Sequence, residues 1–212
     1  MIISILTDNR ESWFVPYGTQ LLNELLKLGH DVSYLHDKQQ IKEGDICFLL
    51  SCTRLVDKEF LDRNQHNIVV HASDLPSGKG FSPLQWQILE GKSEIVLTLF
   101  EVVEKVDAGP FYIKNSIHFE GTELLEDLRK VMAQKIIEMC LEYVDRFGQL
   151  TPIEQEGEET FYKRRTSIDD QLDPNKTIQE QFNLFRIADN DKFPLKFELN
   201  GHSYCLKIYK AD

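Results

Sequence analysis

The chain has 212 residues, a formal net charge of −11, 42% hydrophobic residues and 28% charged residues. This length and balance predict one globular domain with a small appendage and argue against wholesale disorder. The acidic charge disfavours nonspecific nucleic-acid binding, and no apolar run approaches the roughly 20 residues that span a bilayer, so we expect neither nucleic acid nor membrane as a partner.

The first 114 residues alternate between apolar runs and segments with helical periodicity. Strands are predicted at 1–6, 31–35, 45–50, 67–70, 94–101 and 109–114, and helices at 16–28, 57–63 and 82–90. The first run lacks the basic stretch and cleavage site of a signal peptide, so we interpret it as a strand. Strands separated by helices predict an α/β fold with a mainly parallel sheet flanked by helices.

The stretch 122–147 is the clearest helix, with one continuous apolar face. Thr122 is the predicted N-cap and Gly148 the predicted stop. We expect the apolar face to be core or a subunit contact, which together with the C-terminal hairpin could support a homodimer.

Composition changes after residue 150, which divides the chain into a main domain, 1–150, and a small C-terminal extension, 151–212. The acidic run 154–159 is typical of a solvated loop. A helix near 177–185 and a β-hairpin turning at Asn200 and Gly201 complete a predicted α+β extension.

The cysteines show no zinc-ligand spacing and no paired motif; they are Cys47, Cys52, Cys140 and Cys205. This pattern predicts reduced thiols in a cytoplasmic protein and no metal site.

Two side chains stand where chemistry is expected. His71 follows the strand 67–70, and ligands of open α/β sheets bind outside the carboxyl ends of strands. An imidazole titrates near neutrality and suits proton transfer, although a lone histidine can also be a hydrogen-bonded loop residue. Asp107 precedes Ala-Gly-Pro, a pattern that an ordinary turn also explains. Their fixed order around a glycine-rich loop and a tryptophan-bearing helix favours catalysis.

The dense motifs of residues 67–113 include His71-Ala72-Ser73-Asp74-Leu75-Pro76, Gly78-Lys79-Gly80, Ser82-Pro83-Leu84-Gln85-Trp86 and Glu104-Lys105-Val106-Asp107-Ala108-Gly109-Pro110. Together they resemble the folate-dependent formyltransferases, whose acceptors include methionyl-tRNA, glycinamide ribonucleotide and amino sugars. The resemblance implies a Rossmann-like sheet, 10-formyltetrahydrofolate as co-substrate, formyl transfer to an amine and no metal.

The family uses an Asn, a His and an Asp in catalysis, and the resemblance places His71 and Asp107 in the last two positions. Val69 stands where the family has its asparagine. The nearest upstream amide is Asn67, which lies roughly 13 Å from His71 along a regular strand and needs a bulge to reach it. We expect either that Asn67 is catalytic, or that backbone N–H groups and His71 share the missing role.

The resemblance also suggests where the co-substrate binds. The pterin is expected beside the loop that ends at Asp107, contacted mainly by the backbone of Val103, Glu104 and Val106. Lys79 and Gly80 are expected to shape the loop between the two substrates.

The sequence identifies the amine that accepts the formyl group less closely than the folate that donates it. The loop after the first strand has no glycine to close around a phosphate, as glycinamide ribonucleotide enzymes require, and the acidic charge fits tRNA poorly. Segments 78–83, 161–166 and 181–186 look most like bacterial sugar N-formyltransferases, which act on nucleotide-linked 4-amino or 3-amino deoxysugars for surface glycans. Another amine acceptor, or a non-catalytic binder of folate or nucleotide sugar, is the alternative.

Binding of a nucleotide sugar requires cationic side chains for its pyrophosphate and aromatic side chains that stack on its base. Candidate pyrophosphate partners are Lys79, Arg164, Arg165 and Arg186, and candidate contacts to base, sugar or pterin are Asn9, Trp13, Phe14, Phe81 and Tyr162. The alternatives are core packing for the aromatics and a solvated charge run for 163–165.

Overall fold

The structure is a computed structural model that describes residues 1–211. Its strands are β1 Ile2–Leu6, β2 Asp31–Leu35, β3 Gly44–Leu49, β4 Asn64–His71, β5 Lys79–Gly80, β6 Glu94–Glu101, β7 Phe111–His118, β8 Phe161–Tyr162, β9 Leu195–Leu199 and β10 His202–Leu206. Its α-helices are α1 Val15–Lys27, α2 Lys58–Leu61, α3 Pro83–Leu89, α4 Leu125–Asp145 and α5 Phe182–Arg186.

A six-stranded sheet with the order β2-β1-β3-β4-β6-β7 forms the centre of the main domain. The pairings from β2 to β4 are parallel, whereas β6 and β7 add antiparallel strands at one side. The short loop between β6 and β7 explains why these two strands pair antiparallel, because a parallel pair needs a longer crossover. The predicted α/β class, with a mainly parallel sheet and flanking helices, is confirmed.

The core lies between the sheet and the helices α1 and α4. Leu21 and Leu25 of α1 and Leu128 of α4 are completely buried, as are the strand residues Ile5 and Phe48. Burying each such side chain contributes roughly 1.5–3 kcal/mol, so this layer holds β1, β3 and β4 in register.

The long helix begins later than the sequence predicted. Its N-cap is Leu124, whose backbone N–H donates to the Asp127 carboxylate at 3.1 Å, so Thr122 is not the cap. Arg146 ends the helix, and Gly148 follows with a φ of +75°.

The extension forms the predicted hairpin from β9 and β10, with Asn200 and Gly201 both at positive φ. The helix predicted at 177–185 is instead a 3₁₀ turn, Gln179–Gln181, followed by the short α5. An additional pairing, β5 with β8, ties the extension to the main domain in parallel. Within residues 1–211, none of the helices combines the length and the apolar character needed to span a bilayer.

Candidate active site

The loops that follow β1 and β3 meet at the carboxyl edge of the parallel strands. Asp8 accepts the backbone N–H groups of Thr53 and Arg54 at 2.8 Å each, and the Thr7 hydroxyl donates to the Leu50 carbonyl at 2.9 Å. These bonds close one side of the edge at which β4 also ends.

His71 is the last residue of β4 and is half-buried. Its Nε2 lies 2.8 Å from the carbonyl oxygen of Gly78. A carbonyl oxygen only accepts, so Nε2 carries the proton. The neutral ring then has its lone pair on Nδ1, and only the protonated ring can donate from both nitrogens.

Asp107 lies in the loop between β6 and β7, with a φ of +49°. Its Oδ2 accepts the backbone N–H of Gly80 at 2.8 Å. His71 and Asp107, which are 36 positions apart, therefore bind the two ends of the same three-residue segment, 78–80.

Two glycines allow these loops to approach their neighbours. Gly80 has a φ of +97°, and a Cβ there would lie 2.4 Å from the Tyr162 carbonyl oxygen. A Cβ on Gly109 would lie 1.8 Å from the Glu101 carbonyl oxygen. Both positions exclude any larger residue without a backbone shift.

Residues 155–160 of the extension, which we call the strap, bind both loops. Gln155 Nε2 donates to the carbonyl oxygens of Asp107 at 3.1 Å and Gly109 at 2.8 Å. The Thr160 hydroxyl accepts the Gly78 N–H at 2.8 Å. The sequence predicted only a solvated loop here, so these contacts are a correction.

Glu159 is the strap residue that forms ion pairs with the two loops. Its Oε1 accepts from Lys79 Nζ at 2.7 Å and from Lys105 Nζ at 3.1 Å. Hydrogen bonds from these two ammonium groups hold the pKa of the Glu159 carboxyl below its usual value. Nothing in the acidic composition of 154–159 distinguishes Glu159 from its neighbours.

The predicted role of Lys79 in binding a ligand needs correction. Its side chain is only 1% exposed and is bonded to Glu159, so it faces the protein. By contrast, Val103, Glu104 and Val106 are exposed on the loop that carries Asp107, where a ligand can reach them.

Asn67 is not brought to His71. β4 runs against β6 in unbroken register from Ile68 opposite Glu101 to His71 opposite Thr98, so no bulge shortens this stretch. The Asn67 amide is 4% exposed and donates to the Leu61 carbonyl at 2.8 Å. The expectation that Asn67 substitutes for the family asparagine therefore lacks the geometry it needs.

Two predicted phosphate partners are engaged in buried ion pairs. Arg165 bonds to Asp170, and burial lowers the pKa of Arg165 and raises that of Asp170. Arg186 is buried and pairs with Glu123 at 3.0 Å. The Arg165 pair lies within the extension, whereas the Arg186 pair joins the extension to the main domain, and both correct the assignment of these arginines to a ligand.

Arg164 and Phe81 lie on the surface beside the site. The Arg164 guanidinium stacks over the Phe81 ring at 4.4 Å, and Phe81 is 43% exposed. Arg164 has no carboxylate partner within residues 1–211, and the backbone of Phe81 directly follows Gly80. Both side chains are therefore accessible to a ligand, and their role as substrate contacts stays a prediction.

Next to this pair, the rings of Trp86 and Tyr162 are nearly parallel, with centroids 6.3 Å apart, and the Lys163 ammonium lies 5.4 Å from the Trp86 ring. The sequence does not indicate that Lys163 and Trp86 are neighbours, because they are 77 positions apart. Trp86 and Tyr162 extend the aromatic surface beside Phe81, and the Lys163 ammonium is paired with the Asp169 carboxylate at 2.7 Å.

The remaining candidates lie in the loop after β1. Asn9 is exposed, and its side chain accepts the Glu11 N–H at 2.9 Å. Trp13 is half-buried, packs against Phe14 and lies under the Arg129 guanidinium at 5.6 Å. Trp13 and Phe14 therefore make packing contacts, the alternative given for them above.

No group of three or more potential metal ligands occurs among residues 1–211.

The family model described as "Formyl transferase" matches residues 30–143, which is more than half of the chain. The chain belongs to the formyl transferase family. The match includes β4, the segment 78–80 and the Asp107 loop.

Similar proteins agree with this assignment. A methionyl-tRNA formyltransferase from Mycoplasma capricolum is 32% identical over 148 residues, which cover 68% of this chain and 46% of the relative. The chain spans about half the length of the curated relatives it matches.

Solved structures share the fold. A methionyl-tRNA formyltransferase from Clostridium thermocellum gives a TM-score of 0.84 at 19% identity, covering 100% of this chain and 94% of that one. HypX from Aquifex aeolicus in complex with tetrahydrofolic acid gives 0.81 at 18% identity, covering 97% and 37%. A sugar N-formyltransferase from a Shewanella species gives 0.72 at 12% identity, covering 98% and 97%.

Proposed function

We propose that this chain transfers a formyl group from 10-formyltetrahydrofolate to the amine of a nucleotide-linked 4-amino or 3-amino deoxysugar, in the synthesis of surface glycans such as O-antigen. The observation that carries the proposal is the convergence of His71 and Asp107 on segment 78–80 within a formyl transferase domain. Acyl transfer to an amine needs a hydrogen-bond donor for the acyl oxygen and an acceptor for the amine proton.

His71 supplies the donor. Because its Nε2–H is directed at the Gly78 carbonyl, the ring offers a second N–H only when Nδ1 is also protonated. The imidazolium stabilises the negative charge that develops on the formyl oxygen as the amine attacks. Removing one such donor typically costs about 3 kcal/mol of barrier.

Asp107 supplies the acceptor. One of its oxygens is held by the Gly80 N–H, which orients the carboxylate and leaves its other oxygen for the amine proton, directly or through water. As the new formyl–amine bond forms, the bond between the formyl carbon and the folate nitrogen breaks, and the leaving nitrogen takes up a proton in place of the one that the amine releases to Asp107.

The backbone of the exposed residues Val103, Glu104 and Val106 is the proposed pterin contact, because it adjoins Asp107 on the same loop. Arg164 and Phe81 are the proposed contacts to the nucleotide, with Lys163 and Trp86 beside them. A guanidinium over an aromatic ring suits both a pyrophosphate and a base, since it offers charge-assisted hydrogen bonds next to a flat apolar face.

Two rivals are distinguished by observations on the chain. The curated relatives are named for methionyl-tRNA, but a net charge of −11 opposes binding of a polyanion of that size. A non-catalytic binder is suggested by Val69 in the position of the family asparagine, with Asn67 engaged elsewhere.

The test is formyl transfer by the purified chain. We expect mass spectrometry to detect a formamide on at least one GDP-, dTDP- or UDP-linked amino deoxysugar when 10-formyltetrahydrofolate is present, and none when it is absent. Each true ligand should also raise the melting temperature in proportion to the logarithm of its concentration. Product on methionyl-tRNA or glycinamide ribonucleotide alone would replace the sugar as acceptor, and ligand binding without any product would favour the binder.

A further inference from the structure

Glu159 connects two loops that the catalytic proposal needs in fixed relation. One of its partners, Lys79, belongs to the segment 78–80 that binds His71 and Asp107. The other partner, Lys105, lies two residues before Asp107 on the opposite loop. One carboxylate oxygen therefore bridges the two sides of the site.

The contact with Lys79 is enforced by burial. An ammonium group that is only 1% exposed needs a charged partner, because an unpaired buried charge is strongly unfavourable. Lys105 is exposed, so its pair with Glu159 adds little stability in itself. The effect of the Lys105–Glu159 pair is on geometry, because it holds the Asp107 loop close to Glu159, whose own position is fixed by Lys79.

Neighbouring carboxylates do not share this role. Glu154, Glu156 and Glu158 are exposed and form no hydrogen bond or ion pair in the part of the chain that the structure describes. The rest of the strap acts with Glu159, because Gln155 holds the Asp107 loop and Thr160 holds Gly78.

We propose that Glu159 is a positioning residue for formyl transfer, which ties segment 78–80 to the Asp107 loop through Lys79 and Lys105. The proposal rests on the proposed function and extends it to the C-terminal extension. Displacement of a reacting group by about 1 Å can cost up to about 10²-fold in rate, so loss of the bridge is expected to lower turnover without removing a group that touches substrate.

The test compares Glu159→Gln with Glu158→Gln, which removes the same charge one residue away. We expect Glu159→Gln to lower kcat about tenfold with the KM for the amine changed less than threefold, and Glu158→Gln to match the wild type. Lys105→Met, which releases only one loop, should lower kcat by an intermediate factor.

Hydrogen exchange measured by mass spectrometry gives a readout that does not depend on turnover. Glu159→Gln should accelerate exchange in both 77–81 and 104–109, whereas Lys105→Met should accelerate it in 104–109 alone. If Glu159→Gln does not fold, the double variant Lys79→Met with Glu159→Gln removes both charges and should still show the lower kcat.

Equal kcat in Glu159→Gln and Glu158→Gln, or accelerated exchange spread evenly over the chain, would overturn the positioning role. Failure of the wild-type chain to form any formamide would instead contradict the proposed function. In that case, the exchange pattern alone decides whether Glu159 couples the two loops.

Discussion

Replacing Gly80 by alanine perturbs the point at which the catalytic loops and the extension meet. The residue has a φ of +97°, and the new Cβ would lie 2.4 Å from the Tyr162 carbonyl oxygen. The left-handed backbone costs an alanine about 1 kcal/mol. Because the clash is with backbone, the Gly80 N–H must also move away from Asp107, and losing a hydrogen bond to a carboxylate costs about 2 kcal/mol.

Together these effects predict a loss of about 3 kcal/mol in the free energy of unfolding. For a chain of this length the entropy of unfolding is about 0.45 kcal/mol/K, so the melting temperature should fall by about 7 °C. Turnover should fall as well, because Asp107 loses the bond that orients its carboxylate.

The matched control is Gly91→Ala. Gly91 has a similar φ of +82°, but among residues 1–211 a Cβ there meets no atom within 4 Å other than those of its chain neighbours. The backbone penalty alone predicts a loss of about 1 kcal/mol, or about 2 °C, with unchanged kcat. Thermal unfolding and a formyl transfer assay on both variants compare the two positions. Equal melting temperatures and equal kcat values would refute the close contact of Gly80 with Tyr162 and Asp107.

Further predictions concern the surface, the extension and the thiols. Arg164→Ala and Phe81→Ala should each raise the KM for a nucleotide sugar about tenfold with kcat nearly unchanged, and unchanged KM values would exclude these residues from the acceptor site. Asp170→Asn should lower the free energy of unfolding by about 3–5 kcal/mol, because it leaves the buried Arg165 charge without a partner. Normal stability together with a raised KM for the acceptor would instead indicate that Arg165 binds the ligand. Burial raises the pKa of Cys52 to about 12, which disfavours the reactive thiolate. In the native chain a thiol reagent should therefore modify the exposed Cys205 and leave the other three cysteines intact, and rapid labelling at any of those three would contradict the structure. Those protected thiols are Cys47, Cys52 and Cys140.

The sequence predicts features that depend on local periodicity or on chain order. The apolar runs of the parallel strands and the stripe of α4 identify their elements, because burial of one face or both imposes a period. The position of His71 at the end of β4 follows from the apolar run that it directly follows. The direction of β6 and β7 does not follow from periodicity, since a strand has the same pattern in either direction.

Side-chain partnerships across the chain are not predictable in this way. Lys79 is a type of residue that is almost never fully buried, so composition suggests a surface cation. Its partner Glu159 is 80 positions away in an acidic run whose members look alike. The same limit applies to Arg186, because its partner Glu123 is 63 positions away in the main domain.

The central claim is that His71 and Asp107 act together in formyl transfer. The most direct measurement is the kcat of His71→Asn and Asp107→Asn with an accepted amine, alongside calorimetric binding of folate. The side-chain amide introduced by Asp107→Asn would keep an oxygen for the Gly80 N–H, so the loop should hold its conformation. We predict that each variant loses at least about a hundredfold in kcat while folate affinity stays within about threefold. Near-normal turnover in either variant would contradict the account.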